Sequence, residues 1–507
     1  MDFKKKILLL AAMSLMCLFV AGAAAEAASK PVRMPDGVVI PAAGGKLRVQ
    51  VETDGIIRVR FAPGGEFSTR KSIITVEKKR SAPAWRMEEN AGGISIITKR
   101  LRAKIDPGAG AVTFLDAKGG VLLRERADGG RETTPAIVLD ENTYNVKQSF
   151  IVSPGEGLYG LGQYQDGVMN WRGHDVLIAQ SNTISVVPFL YSTGGYGILW
   201  DNCSLSKFHD GADGMSMWSE VADGIDYYFV YGPSADGVIA SYRELTGGAP
   251  MFAKWAYGYF QSKERYVSQD ELISVVKEYR DRGLPLDVIV QDWMYWDKYG
   301  WNAMKFDERY FPDPAGLMKT LHDKYNAHIM ISIWPKFGAE TDVFKDMKSR
   351  GYLFGVPSAP DQGTFDAFNP AARALYWKYV NDTFFSKGMD AWWMDATEPE
   401  ISSAKTQEST MAPIFEARKC ALGTTARYLN AYSLMDTKGV YENQRKTSAA
   451  KRVFILTRSG FAGQQRNAAV TWSGDIEAEW AVLKNQIPAG LNFSMAGVPY
   501  WTTDTGA

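Results

Sequence analysis

Asp390-Ala391-Trp392-Trp393-Met394-Asp395-Ala396-Thr397-Glu398-Pro399-Glu400 reads as a short apolar strand that ends abruptly in a carboxylate, with a second carboxylate three residues further on. A parallel barrel presents a catalytic acid at its C-terminal mouth in this way. Asp395 is therefore the candidate nucleophile. A lone strand-end Asp more often caps a loop or the following helix. What moves the reading toward chemistry is a second such acid downstream, Asp475 in Thr471-Trp472-Ser473-Gly474-Asp475.

Outward from this stretch, β-like and α-like segments alternate. Ser268-Gln269-Asp270-Glu271 is a capping box that opens a helix with Leu272, Val275, Val276 and Tyr279 on one face, and the run Leu286 to Val290 follows. A helix over 315–325 leads to a strand at 328–333, and Asn369-Pro370 starts a helix that leads into Ala391 to Met394. Strand starts are expected at Leu286, His328, Tyr352, Ala391, Val453, Ala469 and Leu491. This alternation over residues 248–507 predicts a (β/α)8 TIM barrel, one that stops short of its eighth strand.

Residues 29–247 read differently. Short alternating runs such as Lys46-Leu47-Arg48-Val49-Gln50-Val51 and Ile57-Arg58-Val59-Arg60-Phe61, broken by Gly, Pro, Asp and Asn, predict an antiparallel β-sandwich without long helices. The chain is thus a multidomain protein, α+β and α/β in class. Gly155-Glu156-Gly157-Leu158-Tyr159-Gly160 has the spacing of a dinucleotide loop, but no βαβ unit surrounds it and a β-turn is expected. Residues 1–28 carry Lys4-Lys5-Lys6, an apolar run and small residues, the pattern of a signal peptide, which predicts a secreted or periplasmic protein with no membrane attachment after cleavage.

The 57 basic and 57 acidic side chains cancel, which argues against a nucleic-acid partner and fits a neutral polyhydroxylated substrate. The 15 Trp and 24 Tyr could supply stacking faces for sugars. Four scattered His and the distant Cys203 and Cys420 show no metal-ligand spacing, and no phosphate loop or Gly-x-Ser-x-Gly elbow is present. Two carboxyl groups at the ends of different strands meet the requirement of retaining glycoside hydrolysis, which needs them roughly 5 to 5.5 Å apart. Asp475 is the candidate acid/base, expected to sit in an apolar neighbourhood set by Trp472 that would raise its pKa.

Asp390 to Pro399 resembles the nucleophile motif of glycoside hydrolase family 31. Thr457-Arg458-Ser459-Gly460-Phe461-Ala462-Gly463 through Arg466 to Asp475 resembles its acid/base motif. Tyr159 to Gln163, Pro188-Phe189-Leu190, Val290-Gln291-Asp292-Trp293 and Gly497-Val498-Pro499-Tyr500-Trp501 to Asp504 are also similar to that family. The resemblance implies a nucleophile at Asp395, an acid/base at Asp475, sugar contacts from Asp292, Trp393 and Arg458, an α-linked oligosaccharide substrate, exo-cleavage, and neither metal nor cofactor. Trp293 and Trp334 are added as pocket walls, and Glu398 and Arg466 as supporting residues. Within the family the motifs look most like α-xylosidases acting on xyloglucan-type oligosaccharides. Bulky Trp293, Trp296 or Trp334 would exclude the hydroxymethyl group that glucose carries and xylose lacks. An α-glucosidase is the alternative, and an inert sugar-binding relative a third.

Overall fold

The computed structural model describes residues 30–77, 83–354, 362–398 and 417–505. The leader read in residues 1–28 lies outside them, as do Pro399 and Glu400.

The alternating runs of the N-terminal half form two antiparallel sheets. In Gly45–Thr53, paired with Ile56–Pro63, residues Leu47, Val49 and Val51 are buried while Arg48 and Gln50 are not, as a period of two requires. One sheet of eight strands runs from Val32–Met34 at one edge to Leu158–Gln163 at the other, and a second has ten strands. Phe114 of the second sheet stacks on Phe229 of the first at 4.0 Å, and Phe150 meets Tyr227 edge to face at 5.3 Å. The inner faces thus interdigitate as a sandwich. Gly155 lies in a turn before the strand Leu158–Gln163, so the glycine-rich segment is a β-turn and strand. Contrary to the sequence reading, a helix precedes Gly247. It spans Ala235–Thr246, capped by the Ser234 hydroxyl, and buries Val238, Tyr242 and Leu245.

Seven parallel strands make the second half, in the spatial order Phe260–Gln261, Val288–Gln291, His328–Ile333, Ala391–Met394, Ile455–Thr457, Ala469–Trp472 and Trp501–Thr502. The described residues thus form a curled, open sheet. Its strand count equals the expected seven, but its membership differs. Phe260–Gln261 was missed, being two residues long with no apolar run. Tyr352 starts no barrel strand: the neighbouring Leu353 makes a single bridge to Phe365, and Met330 pairs directly with Ala391. Leu491 to Ala496 is no strand either, because it belongs to the end of the helix Trp480–Met495, and a short apolar run cannot by itself distinguish the two. Asp292 consequently follows the second strand of the sheet rather than the first.

The helix Trp480–Met495 joins the two halves. Buried Asn492 accepts from the Gly160 N–H at 2.9 Å and donates to the carbonyls of Val168 and Met169, both at 3.1 Å. Its other side is exposed and apolar, with Trp480, Leu483, Ile487 and Leu491 in a row. Arg466, expected beside the catalytic acids, lies on this same seam. Its guanidinium donates to the carbonyls of Ile73, Ile74 and Thr246, so it ties the sandwich to the barrel. Among the described residues no helix is long and apolar enough to cross a membrane, and Cys203 and Cys420 are free.

Candidate active site

Asp292, Asp395, Arg458, Asp475 and Asp504 all follow the C-terminal ends of parallel strands, where a barrel gathers groups from several strands. Asp395 comes immediately after Met394. Its N–H donates to the Ile333 carbonyl at 3.1 Å, which continues the strand pairing, and its carboxylate accepts the Ala396 N–H at 2.7 Å. Ala396 has φ 50°, so the chain turns sharply here and aims the acid out of the sheet.

Arg458 is the hub of the site, with a side chain only 3% exposed. Its Nε donates to Glu398 Oε1 at 2.8 Å and its Nη2 lies 2.5 Å from the same oxygen. Its Nη1 lies 2.9 Å from Asp475 Oδ2 and 3.3 Å from Asp395 Oδ1. Because both carboxylate oxygens rest on one nitrogen, those two oxygens are at most about 6 Å apart, which brings the two acids into one site. Burial opposes the charge on Arg458, but Glu398, Asp395 and Asp475 outweigh it and keep the guanidinium protonated.

Burial pushes the Asp395 carboxyl up to about 7, with Arg458 opposing the shift and Glu398 and Asp475 adding to it. Asp292, part-buried, is pushed up to about 6 by desolvation, against the hydrogen bond from the Trp293 N–H at 2.7 Å. Asp504, though more exposed, is raised to about 6 by the desolvation of its neighbourhood and then by Asp475. The expected apolar setting of Asp475 is not found: Trp472 is buried beneath the surface, and the Asp475 side chain is 61% exposed and held by polar partners. One of these is Asn182, a sandwich residue that the sequence reading did not single out.

Aromatic side chains wall the site. Trp393 packs edge to face on Trp472 at 5.6 Å, and Trp334 on Trp301 at 5.4 Å. Trp301 also contacts Trp293 at 5.6 Å and Trp296 at 5.7 Å. Among the described residues, the indole N–H groups of Trp301, Trp334, Trp393 and Trp472 are buried without a hydrogen-bond partner. Trp296 is buried behind Tyr295 and Trp301, so it supports the wall and cannot face a substrate. Trp301 was missed because nothing in Tyr299-Gly300-Trp301-Asn302 separates a pocket tryptophan from a core one.

At the opposite end of the strands, two histidines that looked scattered in sequence converge. Ring nitrogens of His322 and His328 lie 2.7 Å and 3.4 Å from Asp390 Oδ2, with metal-like spacing. The same carboxylate already accepts the Ile329 N–H at 3.0 Å and pairs with Lys451 at 2.8 Å, so the cluster reads as an ion-pair staple of the barrel floor.

A family model described as glycosyl hydrolases family 31 TIM-barrel domain matches residues 249–507, and one described as the glycosyl hydrolase 31 N-terminal galactose mutarotase-like domain matches residues 46–208. The chain is 45% identical to an α-xylosidase of Saccharolobus solfataricus over 476 residues, which is 91% of this chain and 62% of that protein. It spans 69% of the family 31 α-xylosidase structure from Xanthomonas citri, with a TM-score of 0.88 over 94% of this chain at 31% identity. It resembles a family 31 α-xylosidase from a soil metagenome, solved with xylose, with a TM-score of 0.86 and 29% identity over 94% of this chain and 72% of that one.

Proposed function

Since the chain belongs to glycoside hydrolase family 31, we propose that it is a retaining, exo-acting α-glycosidase that releases terminal α-linked xylose from xyloglucan-type oligosaccharides. The observation that carries this reading is the single Arg458 nitrogen shared by Asp395 and Asp475, which brings together two acids from different strands, the pairing that a covalent glycosyl intermediate needs. Buried Asp395 is the nucleophile, and the more exposed Asp475 is the acid and then the base.

In the proposed cycle an Asp395 oxygen attacks the anomeric carbon while Asp475 passes its proton to the departing glycosidic oxygen. A β-xylosyl ester of Asp395 results, and Asp475 is left ionised. Asp475 then takes a proton from water as the water oxygen attacks the same carbon, and xylose leaves in its original α configuration with Asp395 free again. Asp292 accepts from ring hydroxyls, and the part-buried rings of Trp393 and Trp334 pack against the sugar. The clustered rings of Trp293, Trp301 and Trp334 support a preference for xylose over glucose. A rigid wall rejects an added hydroxymethyl by overlap, whereas a lost methylene-sized contact is worth only about 1 to 3 kcal/mol.

The test is hydrolysis of 4-nitrophenyl α-xyloside and α-glucoside side by side, with NMR observation of the first-formed sugar anomer. Faster release from the xyloside with α-xylose appearing first is expected, and Asp395→Ala should abolish it while leaving binding largely intact. Preference for the glucoside would make the chain an α-glucosidase, inversion would break the proposed mechanism, and near-normal turnover by Asp395→Ala would remove Asp395 from it.

A further inference from the structure

Resting on that reading of Asp475, the geometry points to Asn182 as a residue of the sandwich that positions the acid/base of the barrel. Asn182 lies 293 residues before Asp475, on the connection between the strands Asp175–Ile178 and Ser185–Ser192. Its side-chain amide reads Asp475 twice. Nδ2 donates to Oδ2 at 2.6 Å, and Oδ1 accepts the Asp475 N–H at 3.0 Å. A two-point contact of this kind fixes both the backbone and the carboxylate plane.

With Arg458 also on Oδ2, that oxygen is committed to protein partners. Among the described residues no hydrogen bond reaches Oδ1, so Oδ1 is the oxygen left to carry the transferring proton. The approach is built for closeness. Gly474 has φ 82°, and a Cβ there would lie 2.4 Å from the Thr183 nitrogen and 2.7 Å from Asn182 Oδ1.

An exposed loop tip would position nothing if it were free to swing, and this one is anchored on both sides. Gln180 donates to the carbonyls of Asn430 at 3.0 Å and Gly460 at 2.7 Å, both in the barrel, and accepts the Val186 N–H. On the other side the Thr183 carbonyl accepts from Gln163 at 3.2 Å and Gln165 at 3.0 Å, while Gln163 takes the indole N–H of Trp501. Thr183 itself is held at φ 69°, which a side-chain-bearing residue adopts only when its surroundings enforce it. These contacts make Asn182 a fixed outrigger from one half of the molecule to the chemistry of the other.

The charged groups facing Asp475 are Arg458, Asp395, Asp292 and Asp504. Against that constant background, Asn182→Ala removes one donor to the ionised form, and Asn182→Asp replaces it with a like charge. In the full chain at pH 7, the carbon-13 carboxyl resonance of Asp475, assigned by its loss in Asp475→Asn, should move in Asn182→Ala, which breaks the contact to Oδ2, and move further in Asn182→Asp. No movement overturns the proposal, and this readout needs no turnover.

Kinetically, kcat/KM of Asn182→Ala should fall roughly 10- to 100-fold for an α-xyloside with a poor leaving group. It should stay within a few-fold of wild type for a dinitrophenyl α-xyloside, whose leaving group needs no proton, and the alkaline limb of the pH profile should rise. Equal losses on both substrates with an unmoved limb would reduce Asn182 to a structural residue and overturn its positioning role. If the wild-type chain cleaves neither α-xylosides nor α-glucosides, the functional reading falls, while the Asp475 carboxyl resonance still decides whether Asn182 controls Asp475.

Discussion

At the scale of single residues, the site is a contest between burial and one guanidinium. Asp395 must be ionised to attack, yet burial holds its carboxyl up at about 7. The acid limb of kcat/KM for the free protein should therefore fall as pH drops through about 7, rather than near 4 as for an ordinary carboxylate. The same shift has a stability sign. A carboxyl whose folded pKa lies above its unfolded one favours folding at low pH, and that contribution is lost as pH rises toward 7. Asp395→Asn removes the charge that burial penalises, so its Tm should exceed wild type by about 2 °C or more at pH 8 and converge with it at pH 4. Differential scanning calorimetry at both pH values checks this. Arg458→Met has the opposite effect. It leaves the buried Glu398 carboxylate without its partner and should cost about 3 to 5 kcal/mol in denaturant unfolding, besides abolishing turnover.

At the scale of elements, the sequence was most legible where a pattern was long or a residue was chemically marked. The alternation Leu47-Val49-Val51 named its sheet, and the acid after Trp392-Trp393-Met394 named a strand end. It was least legible where an element is defined by its partners. Phe260–Gln261 is a strand only because Val288 and Ile289 lie beside it, and Leu491 is helical because Asn492 has a seam to satisfy. Asn182 and Trp301 escaped for the same reason, since their contacts lie far away in sequence or look like core packing. Arg466 was read as a supporting residue through the motif that contains it, while the carbonyls that hold it, those of Ile73, Ile74 and Thr246, lie far away in sequence. Asn492→Ala should cost about 1 to 3 kcal/mol, because it strips the buried Gly160 N–H and two part-buried carbonyls of their partner. Urea unfolding reads this, and loosening of the seam should appear as faster amide exchange at Gly160.

At the scale of the whole molecule, the two halves cannot be considered separately. The barrel strands supply the carboxylates, but the surface of the sandwich reaches one of them through Asn182, and Arg466, Gln163 and Asn492 lock the two together. A barrel expressed without residues 30–247 would expose this whole seam and should be insoluble. Arg458 also has a consequence for the pocket as a field. It sets one positive charge amid Asp292, Asp395, Glu398, Asp475 and Asp504, with the Lys336 ammonium apart, over the rings of Trp301 and Trp334. Once those acids ionise, the site becomes a trap for cations. A protonated imino sugar of xylose shape should outcompete its neutral ring-oxygen counterpart, increasingly so as pH climbs from 5 to 7, and added salt should take back the share of that advantage owed to the exposed Asp475 and Asp504.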